Sequence, residues 1–464
     1  MSVTPEPHPV DARLPWHRLL VFGIQHVLIM YTGCVTVPLV FGAAAGLDAR
    51  TIALLISADL LVAGIVTVVQ SLGLGRFAGA RLPIITGATF VAMSPMILIA
   101  KQYGLPAVYG SMLVGGFVGL ALAWPFAAIV RFFPPLVSGT VLTVVGISLI
   151  GVAGGLVVGN DPKSASYAAP SHIALAAAVL VIALLCTVLG RGVWSQLGVL
   201  IALIAGVLIS LPMGLMKLDG VAGTAWLGAP RVFHFGAPQF PITAVVAMSI
   251  VMAVVFAEST ASMLAIGEIT GKPLTRGDLA RGLAGDGLSA VLAGVFGSFI
   301  DTIFNQNVGA VAQTRVFSRY VTAVSGAILI VLGLVPRFGA LVAAVPQPVI
   351  GGVGLVLFAT ITVIGVDTLR KAELQDRVNL SIVAVAIGVG LVPVLTPGMF
   401  GRFPSSAQIL LNSGISLAAL TVFVLNILFN HTKLGEIARG ALESPAAELQ
   451  PQALTHSDRP SANS

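Results

Sequence analysis

Apolar runs of roughly 20 residues recur along this chain, and each, coiled as a helix, is long enough to cross ~30 Å of hydrocarbon. They fall near 17–40, 50–73, 82–100, 106–130, 135–158, 172–190, 194–215, 240–266, 281–300, 302–314, 319–343, 348–367, 378–400 and 409–430. Fourteen such runs have no place in a water-soluble core. Hydrophobic residues make up 57% of the chain and charged ones only 9%, with a mean hydropathy of +1.01, so the chain reads as an integral membrane protein. Residues 1–16 are polar and proline-rich and lack the apolar stretch of a cleavable signal, so the first span is expected to be retained.

Loop charge sets the expected orientation. With a cytoplasmic N-terminus, the N-tail, the even-numbered connections and the C-tail hold 17 of the 24 Lys and Arg, among them Lys272, Arg276, Arg281, Arg370, Lys371 and Arg377. Both termini are therefore expected on the cytoplasmic side of a bacterial-type inner membrane. The basic balance then needs no nucleic-acid partner. Cys34 and Cys186 fall within spans and read as packing residues, and no metal-ligand spacing such as CxxC or HExxH occurs.

An internal echo accompanies the spans. "PPLVSGTV" at 134–141 opens span 5 and "PQPVIGGV" at 346–353 opens span 12, with Pro134, Val137, Gly139 and Val141 matching Pro346, Val349, Gly351 and Val353. A repeat of seven spans, an odd number, must alternate its topology in the membrane, which is the inverted repeat of many secondary transporters. Chance similarity of two proline-rich helix starts is the alternative.

The stretch "FNQNVGAVAQTR" at 304–315 concentrates polar groups where the surroundings are apolar. Only 13 residues separate Asp301 from Arg315, and as an α-helix they would rise about 20 Å, short of the core thickness. A broken span is expected, with extended backbone near Asn305 to Val308 and a half-helix starting near Gly309. Its free N–H groups would face whatever sits beside Gln306. Non-helical backbone at this depth survives only inside protein or along a cavity. The partner in the first repeat is "RLPIITGATFVAMSP" at 81–95, interrupted by Pro83, Gly87 and Pro95. One short strand from each repeat could pair at the centre, placing Thr89 and Phe90 at a strand end with the Phe90 ring offered for stacking.

These residues carry a resemblance. Gln306-Asn307-x-Gly309-x4-Thr314-Arg315 resembles the signature of the nucleobase-ascorbate transporter family, the nucleobase–cation symporters, and in particular its xanthine and uric acid permeases. Gln25-His26 resembles the family's QH motif, "GATF" at 87–90 its span 3 segment, and "AESTASMLAIGEITG" at 257–271 its span 8; Asp286 precedes Gln306 by the family's spacing. The expected fold is an all-α polytopic membrane protein of fourteen transmembrane segments in two inverted seven-span repeats, with spans 3 and 10 broken by short β-strands. The resemblance implies a core domain in two parts (17–130, spans 1–4; 236–343, spans 8–11) and a gate domain in two parts (131–235, spans 5–7; 344–431, spans 12–14). A cytoplasmic N-tail (1–16) and a disordered cytoplasmic C-tail (432–464) flank them. It also implies proton-coupled uptake of a nucleobase by an elevator-like movement, in a homodimer within the lipid bilayer, with no cofactor beyond the coupling proton.

The implied substrate-binding set is Glu258, Gln306, Phe90, Thr89, Asn307 and Gly309; the implied coupling set is Glu258, Asp286 and His26; Gln25, Thr314, Arg315 and Ser262 complete the motifs. A carboxylate in mid-span is costly unless paired or neutralised, which makes Glu258 functional by default. Burial disfavours its ionised form and so suits it to carry a proton. Asp286 would lie about a turn and a half into span 9, either near solvent or in the coupling role the family implies. Gln306 both donates and accepts, which matches the alternating edge of a purine, and family members with Gln here are purine carriers where those with Glu prefer uracil. Asn307 and Thr314 either brace the broken span or touch substrate; His26 either orients a carboxylate or is a hydrogen-bonded core histidine; Arg315 is either a loop anchor or a selectivity position. Asp59 and Glu268 read as structural. Ser262 departs from the family, whose members often carry Asp or His one helical turn after the glutamate. A serine holds no proton, which changes the relay. An inorganic anion carrier of related fold would explain the half-helix dipoles but not Glu258. An intramembrane hydrolase would need a motif such as GxSxG or HExxH, and neither is present.

Overall fold

In the computed structural model the described residues are 8–129, 133–159, 164, 166–216, 221 and 223–443. The chain is helical almost throughout. In order run α1 (Trp16–Ala44), α2 (Ala49–Leu72), β1 (Thr86–Ala88), α3 (Met93–Tyr103), α4 (Leu105–Ile129), α5 (Pro135–Val158), α6 (Pro170–Leu189), α7 (Val193–Gln196) and α8 (Gly198–Ser210). There follow α9 (Ile242–Thr270), α10 (Arg276–Phe296), β2 (Asp301–Ile303), α11 (Asn305–Thr314), α12 (Arg319–Gly333), α13 (Pro336–Ala343), α14 (Gln347–Leu369), α15 (Arg377–Leu395), α16 (Ser405–Leu411), α17 (Gly414–Asn430) and α18 (Lys433–Glu443). Among the described residues nine helices are long and apolar enough to cross a membrane, or ten if α12 and α13, bent by 81°, form one broken span. The other four expected stretches hold no helix of that length among the described residues; they contain β1 with α3, α7 with α8, β2 with α11, and α16 with α17.

Local chemistry sets several helix ends. Asp48 caps α2 by accepting from the Thr51 N–H at 3.3 Å. A reciprocal box of Thr275 and Asp278 opens α10, and Gly297 ends it at φ 71°. This start at Arg276 corrects the expected depth of Asp286: it lies near the middle of α10, fully buried, rather than near solvent.

The most extensive helix contacts are α5 with α14, α4 with α10 and α2 with α12. Small residues let backbones approach there, as membrane helix packing requires. A Cβ added at Gly64 would meet the Gly326 carbonyl at 2.6 Å, and one at Gly139 would meet the Gly365 carbonyl at 2.9 Å.

At the centre β1 and β2 pair antiparallel, with Thr86 opposite Ile303, Gly87 opposite Thr302 and Ala88 opposite Asp301. The Thr89 N–H to Ile300 carbonyl bond (2.8 Å) and the Phe304 N–H to Ile85 carbonyl bond (2.9 Å) extend the ladder at its ends. A lone two-stranded ribbon leaves outer backbone groups that must be satisfied in the absence of water. Thr67 of α2 supplies its hydroxyl to the Thr86 N–H (3.1 Å), and Ser289 of α10 does the same for the Asp301 N–H (2.6 Å). The position of the extended segment therefore differs from expectation. Residues 305–308 are helical and α11 starts at Asn305, not near Gly309, because the ladder takes 301–303 and Phe304 already stands at the helix N-cap. Asp301, which opens β2, is fully buried.

Candidate functional site

Both strands lead directly into short helices, and the resulting corners meet at one cavity. Thr89 and Phe90 come from the end of β1, Thr302 from β2, Asn305 and Gln306 from the first turn of α11, and Glu258 from mid-α9. Leu142 and Val145 of α5 with Ile361 and Ile364 of α14 form the facing, apolar wall. The cavity itself is narrow, with a volume of about 40 Å³. Polar groups thus occupy one side of the cavity and aliphatic groups the other, the usual division in a small-molecule site.

Glu258, Asn305 and Thr89 are each positioned by a traceable contact. The Glu258 carboxyl reaches the Thr302 hydroxyl, while its Oε2 has no protein partner. Ser262, one turn further along α9, donates to the Asn305 Oδ1 at 2.8 Å and to the Glu258 carbonyl at 3.1 Å. That bond ties α9 to the start of α11 beside Gln306. The Thr89 hydroxyl accepts from the Val91 N–H at 3.2 Å, holding the turn into α3. The Phe90 ring meets Phe358 of α14 edge-on, with ring centroids 5.4 Å apart. At the back of the corner the Phe304 ring fills a slot that glycine alone leaves open. A Cβ at Gly87 would stand 2.9 Å from it, and one at Gly33 of α1 would collide with it.

The remaining sequence-derived residues lie away from the cavity. Asn307 points toward α1, where its Nδ2 meets the His26 Nδ1 and carbonyl oxygen, both at 3.0 Å. His26 is accordingly buried and hydrogen-bonded to the first turn of α11. Gln25 is half-buried with its Nε2 unpartnered. Gly309 is exposed, with nothing near its Cα, so it lines no part of the cavity. Thr314 donates to the Ala310 carbonyl at 2.8 Å, and Arg315 closes α11 in the left-handed region at φ 55°, exposed beside His17 and Arg18. Asp286 accepts from Gln70 of α2 at 3.2 Å and is not on the cavity wall. Asn305 and Thr302 were missed in the sequence. Asn305 stood inside the singled-out stretch, masked by the family signature beginning one residue later; Thr302 carried no signal beyond lying next to Asp301. Among the described residues no group of three or more His, Cys, Asp or Glu side chains could hold a metal ion.

Chemically, the site offers a carboxyl, two carboxamides and two hydroxyls around an aromatic ring, opposite an aliphatic wall. This set suits a flat heterocycle that alternates N–H and C=O groups at its edge and presents an apolar face.

Comparison with known proteins points the same way. A family model described as a permease family matches residues 17–399. The chain is 41% identical to the "Uric acid transporter UacT" of Escherichia coli over 91% of its own length and 88% of that protein's. It is 37% identical to the "Xanthine permease" of Bacillus subtilis, covering 89% and 94% of the two chains. Among solved structures, the transmembrane domain of the cyanobacterial bicarbonate transporter BicA matches at TM-score 0.56 and 16% identity, covering 90% of this chain and all of that one. Murine Slc26a9, an anion transporter, matches in its inward-facing state at TM-score 0.60 and 13% identity, covering 90% and 69%. At these identities the structural matches concern the fold alone.

Proposed function

The chain belongs to the nucleobase-ascorbate transporter family, and from that premise we propose that it imports a purine nucleobase, xanthine or uric acid, together with protons. The observation carrying the proposal is the convergence of Glu258, Gln306, Thr89 and Phe90 on one cavity where two strands end. Glu258 accepts from ring N–H groups of the base and takes up the coupling proton, Gln306 reads one donor and one acceptor at the ring edge, and Phe90 covers its face. Asp286, two hydroxyls away from Glu258, exchanges the proton with it. Asn307, His26 and Ser262 hold α11 in place and leave the chemistry to others.

In the same reading the pieces around the strands complete a fourteen-span, inverted-repeat architecture. Residues 17–130 and 236–343 form a core that moves as an elevator against a gate of 131–235 and 344–431, in a homodimer within the inner membrane, both termini cytoplasmic. The aliphatic wall from α5 and α14 supports it, since an apolar surface lets a polar-lined core slide without breaking hydrogen bonds. A uracil or broad nucleobase permease is the second reading, because a carboxyl and an amide also fit a pyrimidine edge. Inhibition of labelled xanthine uptake by a panel of unlabelled bases separates the two: urate competing best supports the first, uracil competing best the second.

A further inference from the structure

Behind the strands lies a group of acids that substrate binding leaves unused. Side chains alternate along a strand, so while Thr302 faces Glu258, Asp301 faces the other way, toward α1, α2 and α10. There Asp59 of α2 and Asp286 of α10 lie within electrostatic reach of it, as does Cys34 of α1. All three aspartates are fully buried, and among the described residues no lysine or arginine is buried to offset them.

Donors are unevenly shared among the three. Asp59 accepts from Cys34 Sγ at 2.8 Å and from Ser298 Oγ at 3.4 Å, one bond to each oxygen. Asp286 accepts from Gln70 on one oxygen and has no hydrogen-bond partner for Oδ2. Neither Asp301 oxygen has a hydrogen-bond partner, although the Ser289 hydroxyl lies beside the carboxyl. An ionised carboxylate can only accept, whereas a carboxylic acid brings its own O–H donor. A buried, unpartnered carboxylate beside two other acids is the arrangement that protonation relieves. We propose that Asp301 carries a proton and, with Asp59, forms a second proton-holding site on the far side of β2 from the substrate cavity.

A polar route joins this site to the first. The Ser259 hydroxyl lies beside Asp286, Ser259 Oγ lies 3.2 Å from Thr302 Oγ1, and the Thr302 hydroxyl lies beside Glu258. A hydroxyl gives up one proton as it accepts another, so a proton leaving Asp286 arrives on Glu258 with only O–H bonds exchanged and no net change at Ser259 or Thr302, and Asp301 lies within electrostatic reach of Asp286. Among the described residues the other titratable groups near the cluster are Tyr109 of α4, beside Asp59, and Tyr31 of α1, beside Cys34. The site's role in transport rests on the proton-coupled reading above; the proton on Asp301 does not.

The test is infrared titration of the full-length protein reconstituted in lipid, with proton flux measured alongside. A carboxylic-acid C=O band present at neutral pH should vanish in Asp301→Asn and persist in Asp286→Asn, and the protons moved per purine in vesicles should fall by about one in Asp301→Asn. A band unaffected by Asp301→Asn overturns the proposal, as does a band abolished by sodium, which would make this a sodium site. If Asp301→Asn is not recovered from the membrane, Asp59→Asn decides: a shifted but surviving band supports Asp301 as the carrier, and a lost band assigns the proton to Asp59 and refutes it. A wild-type band without proton flux would leave Asp301 protonated and sink the coupling reading instead.

Discussion

Replacing Gln306 by Glu changes one atom group at the cavity wall and should change which base is held. The carboxamide carries two donors and one acceptor oxygen, whereas the carboxylate carries acceptors alone. Gln306 stands in the first turn of α11, so the backbone that positions it is undisturbed by the exchange. A purine carbonyl that met the amide N–H would meet an oxygen instead. Two facing acceptors in a desolvated site cost about 1–3 kcal/mol, and more if the carboxylate keeps its charge. At 1.4 kcal/mol per decade this is roughly a tenfold to hundredfold loss of xanthine or urate affinity. Inhibition constants for each base against labelled xanthine, in membrane vesicles of wild type and Gln306→Glu, measure it. A weakened purine with a gain for uracil is the expected pattern. Unchanged purine affinity would refute the reasoning and move base reading to Thr89, Phe90 or Asn305.

Glu258→Gln should abolish pH-gradient-driven accumulation while the protein still reaches the membrane; full accumulation by this variant would remove Glu258 from coupling. Ser262→Ala removes the donor to Asn305 and should cost about 0.5–1.5 kcal/mol in the placement of α11, read as a purine affinity lowered by up to about tenfold. Equal affinities would show that the bond does not position the site. Gly33→Val drives a side chain into the Phe304 ring and should lower stability by about 1–3 kcal/mol, seen as a lower melting temperature in detergent; an unchanged melt would contradict the packing described.

Membrane class was readable from the sequence because apolar length is a coarse signal that survives errors of several residues. The broken segments were readable as oddities, since Gly87, Pro83 and the short 301–315 interval violate the pattern around them. Their geometry was not. Strands of three residues, Thr86–Ala88 and Asp301–Ile303, are too short to show alternation, and their pairing joins residues more than two hundred positions apart. Asp286 was placed too shallow because the charged Arg276 and Asp278 look like loop, although Thr275 and Asp278 cap a helix there. Asp301 carries no sequence signal of its depth, and only the fold shows it buried beside Asp59. Asn307 and His26 share a helix-to-helix bond that no single-sequence spacing could separate from a substrate contact.

Uptake of labelled xanthine into proteoliposomes containing the purified protein, with an imposed inward proton gradient, tests the central claim most directly. The account predicts saturable accumulation above equilibrium, competed by unlabelled urate and collapsed by a protonophore. Absence of purine uptake by folded protein, or gradient-driven uptake of sulfate in its place, would contradict it.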